Sequence, residues 1–141
     1  MQLQLVTLSG SKFDEDVYEV IIPTIDGEIG VFPGHEPLVT LAKGGVIQVR
    51  HKRTDPLDKL EYFAISGGVV EINGDHVKVL VDEADHGQDI IEAETQAALD
   101  RAIKQRDEAT DQVELEKAHQ LVDRHMVRLK VADLHRRHHR S

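Results

Sequence analysis

The stretch "GEIGVFPGHEPLVT", residues 27–40, places two prolines and a glycine within the five residues from Pro33 to Pro37. Such a run cannot continue a helix or the middle of a sheet. On both sides of it, short segments alternate apolar and polar residues, as strands with one buried face do. The stretch therefore predicts a loop held between β-strands, and such loops often carry contact residues on a rigid frame.

The alternating pattern extends through the first 85 residues. Seven segments are short and rich in Val and Ile, and turn residues separate them: "QLQLVTLS", "DVYEVII", "EIGVF", "GVIQVR", "EYFAIS", "GVVEI" and "HVKVLV". Because these gaps leave no room for crossover helices, the pattern favours an all-β sandwich or barrel. Asn73 and Gly74 both tolerate a positive φ and predict a tight hairpin turn. The segment "EPLV", residues 36–39, leaves a helix start open.

The composition changes after Gly87. All 10 glycines lie at or before that residue, and all 4 prolines lie at or before Pro56. Residues 89–92, "DIIE", carry the residues of a capping box, and "DQVE" at 111–114 offers a second helix start. Apolar residues follow both starts at helical spacing: Ile91, Ala98, Leu99, Ala102 and Ile103, then Leu115, Ala118, Val122, Leu129 and Ala132.

These patterns predict an α+β protein of two domains. Residues 1–85 form an all-β sandwich, and residues 86–141 form a helical domain. The helical domain is either an antiparallel two-helix hairpin or one continuous helix of roughly 80 Å at 1.5 Å per residue. The sequence permits both the compact and the extended form.

The composition excludes several classes of protein. The chain has no cysteine, so a disulfide framework, a zinc thiolate site and a thiol nucleophile are all excluded. A formal net charge of -9 disfavours a free-standing nucleic-acid binder. No run approaches the roughly 20 apolar residues that a membrane-spanning helix needs, and the first residues do not have the pattern of a signal peptide. We expect the chain to fold in the bacterial cytoplasm and not to insert into a membrane.

The charge is divided unevenly along the chain. Residues 1–85 carry a net charge of -8, residues 86–116 carry -6, and residues 117–141 carry +5. A basic second helix can pair with the acidic first helix or with an acidic partner elsewhere.

No arrangement of residues in the sequence predicts an active site. His35 and Glu36 are adjacent on a turn, where neighbouring side chains seldom face each other, and no nucleophile stands nearby. The two Gly-Gly pairs, at residues 44–45 and 67–68, do not belong to a phosphate-binding motif and favour strand corners or bulges. The chain end "HRRHH", residues 135–139, favours a solvated or anion-seeking tail over a metal site. The residues by themselves predict an interaction protein with a β domain and a helical arm.

Three long stretches together resemble the epsilon subunit of bacterial F-type ATP synthase over nearly the whole chain. They are "TIDGEIGVFPGHEPLVTLAKGGVIQV", "FAISGGVVEINGDHVKVLVDEA" and "GQDIIEAETQAALDRAIKQR", in this order and at the expected distances. The resemblance implies a ten-stranded sandwich followed by two helices. It also implies a non-catalytic rotor subunit that joins the gamma subunit to the membrane ring of c subunits, on the cytoplasmic face of the bacterial inner membrane.

The resemblance implies partner contacts for particular positions. Glu28, Gly30 and Phe32 match the region near the c-ring, and His35 and Pro37 match the region that shapes the base of the stalk beside gamma. If the arm extends into the alpha/beta catalytic head and inhibits ATP hydrolysis, acidic surfaces of the beta subunits would meet its basic residues: Arg124, Arg128, Lys130, Arg136 and Arg137.

One feature departs from the family pattern. Many relatives bind ATP through a helical motif in which an Asp and an Arg stand where this chain has Ile91 and Glu94. A glutamate facing a triphosphate repels it, so we expect no nucleotide or other cofactor. The alternative to a rotor subunit is a free β-sandwich adaptor whose basic helical tail binds an acidic protein. A third alternative is a small ligand-binding or metal-binding sandwich.

Overall fold

A computed structural model describes residues 1–139 of the chain. It contains ten β-strands followed by two α-helices, which confirms the predicted fold class. The strands are β1 (Gln2–Thr7), β2 (Gly10–Asp16), β3 (Glu19–Thr24), β4 (Gly27–Val31), β5 (Leu38–Ala42), β6 (Gly45–Arg50), β7 (Glu61–Ile65), β8 (Gly68–Asn73), β9 (His76–Val81) and β10 (Ala84–His86), and the helices are α1 (Glu92–Glu108) and α2 (Gln112–His138). The last two residues of the predicted helical domain, Arg140 and Ser141, lie outside the described residues.

All ten strands belong to one sheet that folds over on itself. Its order is β10-β7-β6-β3-β5-β8-β9-β1-β2, with β4 paired to β3 as a branch. The pairings are antiparallel except that of β1 with β9, which is parallel. β2 and β10 end this path, so they are the two edge strands of the sheet.

The core of the sandwich consists of the inward-facing apolar side chains of the alternating strands. Leu3 and Leu5 of β1, Val20 and Ile22 of β3, and Val79 of β9 are almost completely buried. Burying each such side chain contributes on the order of 1.5–3 kcal/mol. The period-2 pattern seen in the sequence therefore corresponds to a real division between core and surface.

Three strands and one turn differ from the sequence predictions. β2, β5 and β10 fall in segments that were not predicted as strands, and "EPLV" leads into β5, so the helix start considered there is wrong. The turn between β8 and β9 consists of Gly74 and Asp75. Gly74 has φ +60°, and among the described residues only glycines have positive φ. Asn73 therefore stays in its strand, and the turn has the glycine-first pattern of type II′.

The Gly67-Gly68 pair marks a close approach of two strands. A Cβ atom on Gly68 would lie 1.9 Å from the carbonyl oxygen of Leu80. Leu80 belongs to β9, the antiparallel neighbour of β8. The predicted structural role of this glycine pair therefore has a direct steric cause.

The two helices begin differently from each other. The first helix has Ile91 as its N-cap, with no side-chain cap, and a short 3₁₀ helix, Gly87–Asp89, precedes it. The capping box predicted at residues 89–92 is therefore wrong. The second helix begins as predicted, because the Asp111 carboxylate accepts a hydrogen bond of 2.8 Å from the amide of Glu114. The Glu114 carboxylate in turn accepts a hydrogen bond from the amide of Thr110.

The described residues adopt the compact, antiparallel hairpin. Leu99 and Ala102 of α1 pack against Val122 of α2, as the predicted stripes require. Farther along, Val131 and Ala132 of α2 pack on the sandwich over a cluster of buried residues: Leu60, Tyr62, Ala64 and Ile90. Ile91, predicted to belong to the apolar stripe of α1, is instead exposed.

Candidate interaction surfaces

The residues predicted to contact the c-ring share one exposed face. Glu28 and Gly30 alternate along β4, and Phe32 continues the same spacing just beyond the strand. The Phe32 ring is 44% exposed and packs edge-on against Tyr18, with ring centroids 5.6 Å apart. The turn before β4 is fixed by the Thr24 hydroxyl, which donates to the Gly27 carbonyl at 2.6 Å. A negative charge and an aromatic ring are thus presented on a rigid hairpin.

The Pro-Gly-His-Glu-Pro loop is an ordered connection between β4 and β5. The His35 amide donates to the Phe32 carbonyl at 3.2 Å, and Gly34 takes the positive φ of 86° that this turn requires. His35 Nδ1 donates to the carbonyl of Glu36 at 2.6 Å. The imidazole is thus engaged with the backbone and does not pair with the Glu36 carboxylate. Pro37 is exposed beside it, so the geometry suits a contact loop.

A row of exposed and partly exposed apolar residues crosses the outer face of the sandwich. It consists of Leu41, Val69, Leu80 and Val6, which are cross-strand neighbours on β5, β8, β9 and β1. Leu41 is 50% exposed, and Val39 stands two residues before it on the same face with even greater exposure. We call these five residues the outer apolar row. Sequence reasoning missed it, although apolar residues at consecutive positions in "VVEI" and "KVLV" were a signal that both faces carry apolar side chains.

Most of the basic residues predicted to contact the beta subunits are paired within the chain. Arg124 forms an ion pair with Glu83 at 3.0 Å, and Arg128 forms one with Asp85 at 3.3 Å. Glu83 and Asp85 lie on the sandwich side, at and before β10. The compact form therefore brings the basic helix against acidic residues of the β domain.

The chain end of α2 uses its other arginines in a similar way. Arg136 pairs with Glu92 of α1 at 2.9 Å and also with Asp133, and Arg137 pairs with Asp133 at 3.0 Å. Lys130 is exposed. Such surface pairs are individually worth about 0–1 kcal/mol, so they orient the helix more than they hold it.

Five of the nine histidines gather where α2 ends on the sandwich. His138 Nδ1 and the hydroxyl of Tyr62 share a hydrogen bond of 2.5 Å, and His139 Nε2 donates to the Leu60 carbonyl at 2.5 Å. His135 stacks on His139, and its ring meets that of His86 edge-on. The tail that the sequence predicted to be solvated is therefore a packing element, at least as far as His139.

The carboxylate of Glu61 lies between two histidines, His86 and His51, the fifth member of this group. Its Oε2 contacts His51 Nε2, and its Oε1 accepts from His86 Nε2 at 2.8 Å. The hydrogen bond from His86, reinforced by His51, lowers the pKa of Glu61 to about 2 against the opposing effect of burial. Glu15, His51 and Glu61 together offer atoms that could hold a metal ion.

The altered ATP motif lies on the surface at the start of α1. Ile91 and Glu94 are both exposed, at the N-cap and in the first turn of the helix. The absence of a nucleotide site stays a prediction from the sequence. Among residues 1–139, no helix is both long enough and apolar enough to cross a membrane.

Comparison with known proteins gives the class of this fold. The family described as ATP synthase, Delta/Epsilon chain, beta-sandwich domain matches residues 1–87, more than half of the chain. The chain belongs to this family, and the resemblance recognised in the sequence is confirmed.

Two solved structures share the fold across the helices as well. A chain in the cryo-EM structure of the Euglena gracilis mitochondrial ATP synthase, solved as OSCP/F1/c-ring in rotational state 1, is 24% identical with a TM-score of 0.76. The match covers 94% of this chain and 80% of that one. A chain of the Tetrahymena thermophila mitochondrial ATP synthase, from a structure of its central stalk and c-ring, is 14% identical with a TM-score of 0.57. That match covers 99% of this chain and 96% of the other. At these identities the likeness concerns the fold.

Proposed function

We propose that this chain is a non-catalytic central-stalk subunit of an F-type ATP synthase, in which it links the gamma subunit to the c-ring. Family membership supports this role, and both similar structures include the c-ring among the parts solved. Coupling of ion flow to ATP synthesis then depends on the chain as a mechanical connection. In this role the protein is peripheral to the membrane, at the cytoplasmic face of the bacterial inner membrane.

The outer apolar row is the observation that carries the proposal. Contiguous apolar patches on a protein surface mark sites of protein or ligand contact. The row runs over four neighbouring strands, so its backbone is rigid and preorganised for docking. We assign it to the gamma subunit, with His35 and Pro37 at the adjoining base of the stalk. The opposite role, contact with the c-ring, falls to Glu28, Gly30 and Phe32.

Binding to gamma tests this assignment directly. Leu41→Glu introduces a charge at the β5 end of the row, at a side chain that is 50% exposed, and we expect the affinity of the full chain for gamma to fall at least tenfold. Isothermal titration calorimetry measures the affinity, with circular dichroism to show that the variant is folded. Leu8→Glu is the matched control, because Leu8 is exposed in the turn after β1 and lies outside the row. Equal losses for both variants, or no loss for Leu41→Glu, would remove the row from the gamma interface.

Coupling tests the contact with the c-ring. Glu28→Lys reverses an exposed charge on β4, so we expect weaker coupling with less than about 0.5 kcal/mol change in the free energy of unfolding. The measurement is the number of ions pumped per ATP hydrolysed in membrane vesicles that contain the reconstituted complex. Asp58→Lys, an exposed charge in the 3₁₀ helix Leu57–Lys59, serves as the control. Unchanged coupling in Glu28→Lys vesicles would take Glu28 off the ring interface.

The free adaptor is the competing function, and it requires an accessible basic tail. In the compact form, most of the basic residues of α2 already pair with acidic residues of the same chain. This pairing favours the rotor subunit over the adaptor. A pull-down of the full chain at physiological salt separates them, because the rotor subunit recovers gamma and the adaptor recovers an unrelated acidic protein.

A further inference from the structure

Three side chains with metal-ligating atoms meet at one margin of the sandwich. Glu15 belongs to β2, His51 follows β6, and Glu61 begins β7. One ligand atom from each lies within 4.8 Å of the others. Glu61 and His51 are partly buried, whereas Glu15 is exposed. Two carboxylates and an imidazole form a donor set that suits a divalent first-row metal ion better than magnesium or calcium.

The topology explains why these residues meet. β2 ends the strand order on one side, and β7 is next to the last strand on the other side. Phe13 of β2 packs on Phe63 of β7 and on His51, with ring centroids 5.4 Å and 5.7 Å away. Glu15 is two residues beyond Phe13, so it faces the same way, at the rim of the sandwich. The cluster therefore bridges the two free ends of the sheet.

The cluster is prepared to act as a set of ligands. His86 Nε2 donates to Glu61 Oε1 at 2.8 Å, so a second histidine holds this carboxylate in place behind the cluster. His86 itself is oriented by the Gln88 amide, which donates to its Nδ1 at 3.0 Å. Hydrogen-bonded groups behind the ligands are the usual support of metal sites.

We propose that Glu15, His51 and Glu61 bind a divalent transition-metal ion of the zinc type, which clamps β2 to the β6–β7 margin. Zinc accepts carboxylate oxygen and imidazole nitrogen at about 2.0–2.2 Å, and three protein ligands leave a position for water. Tetrahedral ligands at that distance lie roughly 3.3–3.5 Å apart. His51 and Glu61 are already in contact, so the exposed Glu15 side chain supplies most of the closing movement. With the metal on Nε2, the His51 imidazole is neutral and carries its proton on Nδ1.

Titration with Zn²⁺ alone tests the site on the full chain after treatment with a chelator. We expect one binding event per chain, weakened at least tenfold in Glu15→Gln and in His51→Gln. Asp14→Asn is the matched control, because Asp14 is the neighbouring carboxylate on the other face of β2, where it accepts from Gln2. Saturating Zn²⁺ should also raise the Tm of the wild type and of Asp14→Asn, but not that of Glu15→Gln.

The histidines at the chain end are the main rival for the metal, so His138→Gln and His139→Gln are measured beside the others. We expect both variants to retain the wild-type affinity. Loss of binding in these variants with retention in Glu15→Gln would place the metal on the end of α2 and overturn the proposal. Equal binding in all variants, or no Tm difference between Glu15→Gln and the control, would leave Glu15 as a charge that protects the edge of β2.

Discussion

At the scale of single residues, Gly87 and His135 decide how closely the end of α2 approaches the sandwich. A Cβ atom on Gly87 would lie 2.8 Å from the Cβ atom of His135, so only glycine permits this contact. His135 Nδ1 is buried without a hydrogen-bond partner within residues 1–139. Burial lowers the pKa of His135, and the neighbouring His139 and His86 lower it further, while Asp89 and Glu61 oppose them more weakly. The docked helix therefore prefers a neutral His135.

The sign of the resulting pH dependence follows from that direction. Since the pKa of His135 is lower in the docked state than its ordinary value of 6.5, docking is most stable above about pH 6.5 and weakens as the pH falls below it. Amide hydrogen exchange around Val131 should therefore show more frequent opening at pH 5.5 than at pH 7.5, after correction for intrinsic rates. His135→Gln should reduce this difference.

A residue away from the contact supplies the control for this pH effect. His76→Gln changes an exposed histidine in the β8–β9 hairpin and should leave the difference as in the wild type. His125 of α2 also has a pKa lowered by burial and by nearby arginines, so His135→Gln reduces the pH effect without abolishing it. A pH effect of the same size in His135→Gln would show that another group controls docking.

At the scale of elements, α2 serves two packing partners with two parts of its length. Ala118 and Val122 are buried in the helical hairpin, and Val131 and Ala132 are buried together with Leu60, Tyr62 and Ala64 of the sandwich side. Because α2 packs on both the helical hairpin and the sandwich, the proposed division between residues 85 and 86 holds only if the sandwich is stable without the helices. The sandwich has its own larger core, which contains no residue of either helix.

A charge at the second packing site should separate the two parts. We expect Val131→Asp, at a fully buried position, to release the end of α2 while the sandwich stays folded. An unpaired buried charge is strongly disfavoured, and release of the helix exposes it to water. Amide hydrogen exchange should then become fast around Ala132 of α2 but remain slow at Ala64 and Val79, which belong to strands β7 and β9 of the folded sheet.

Val113→Asp is the control for this substitution, since Val113 is exposed in the first turn of α2. If Val131→Asp accelerates exchange at Val79 to the same degree as around Ala132, the sandwich depends on the helices. The predicted domain of residues 1–85 would then not be an independent unit.

Most strands and both helices could be predicted because alternation and helical spacing are local signals. β10 could not, because a strand of three residues is too short for periodicity and exists by pairing with β7, some 20 residues earlier. β2, "GSKFDED", buries only Phe13, so its polar composition hides a strand that is held by β1. The proposed metal-ligating cluster could not be predicted either, because it depends on tertiary structure. Glu15, His51 and Glu61 are distant in sequence, and only the folding of the sheet brings them together.

At the scale of the whole molecule, the basic residues of α2 have two competing sets of acidic partners. In the compact form, Arg124 and Arg128 pair with Glu83 and Asp85 across the gap between helix and sandwich. If the arm extends into the catalytic head, the same arginines become available for acidic surfaces of the beta subunits. Both sets of exposed pairs are screened by salt within about 8–10 Å. Added salt should favour the compact form, because Val131 and Ala132 also pack on the sandwich and salt does not weaken that apolar contact.

This competition predicts opposite effects for two changes in the reconstituted complex. Truncation after Thr110 removes α2 and should raise the rate of ATP hydrolysis, and added salt should raise the rate of the intact complex towards that of the truncated one.

Glu83→Gln combined with Asp85→Asn removes the internal partners of Arg124 and Arg128, so it should favour the extended arm and lower the rate. Asp58→Asn controls for loss of a surface charge elsewhere. Hydrolysis rates at low and high salt decide between the outcomes. Equal rates for truncated and intact complexes would make the helical hairpin a packing element of the stalk, because an arm that never enters the head cannot respond to the loss of its internal partners.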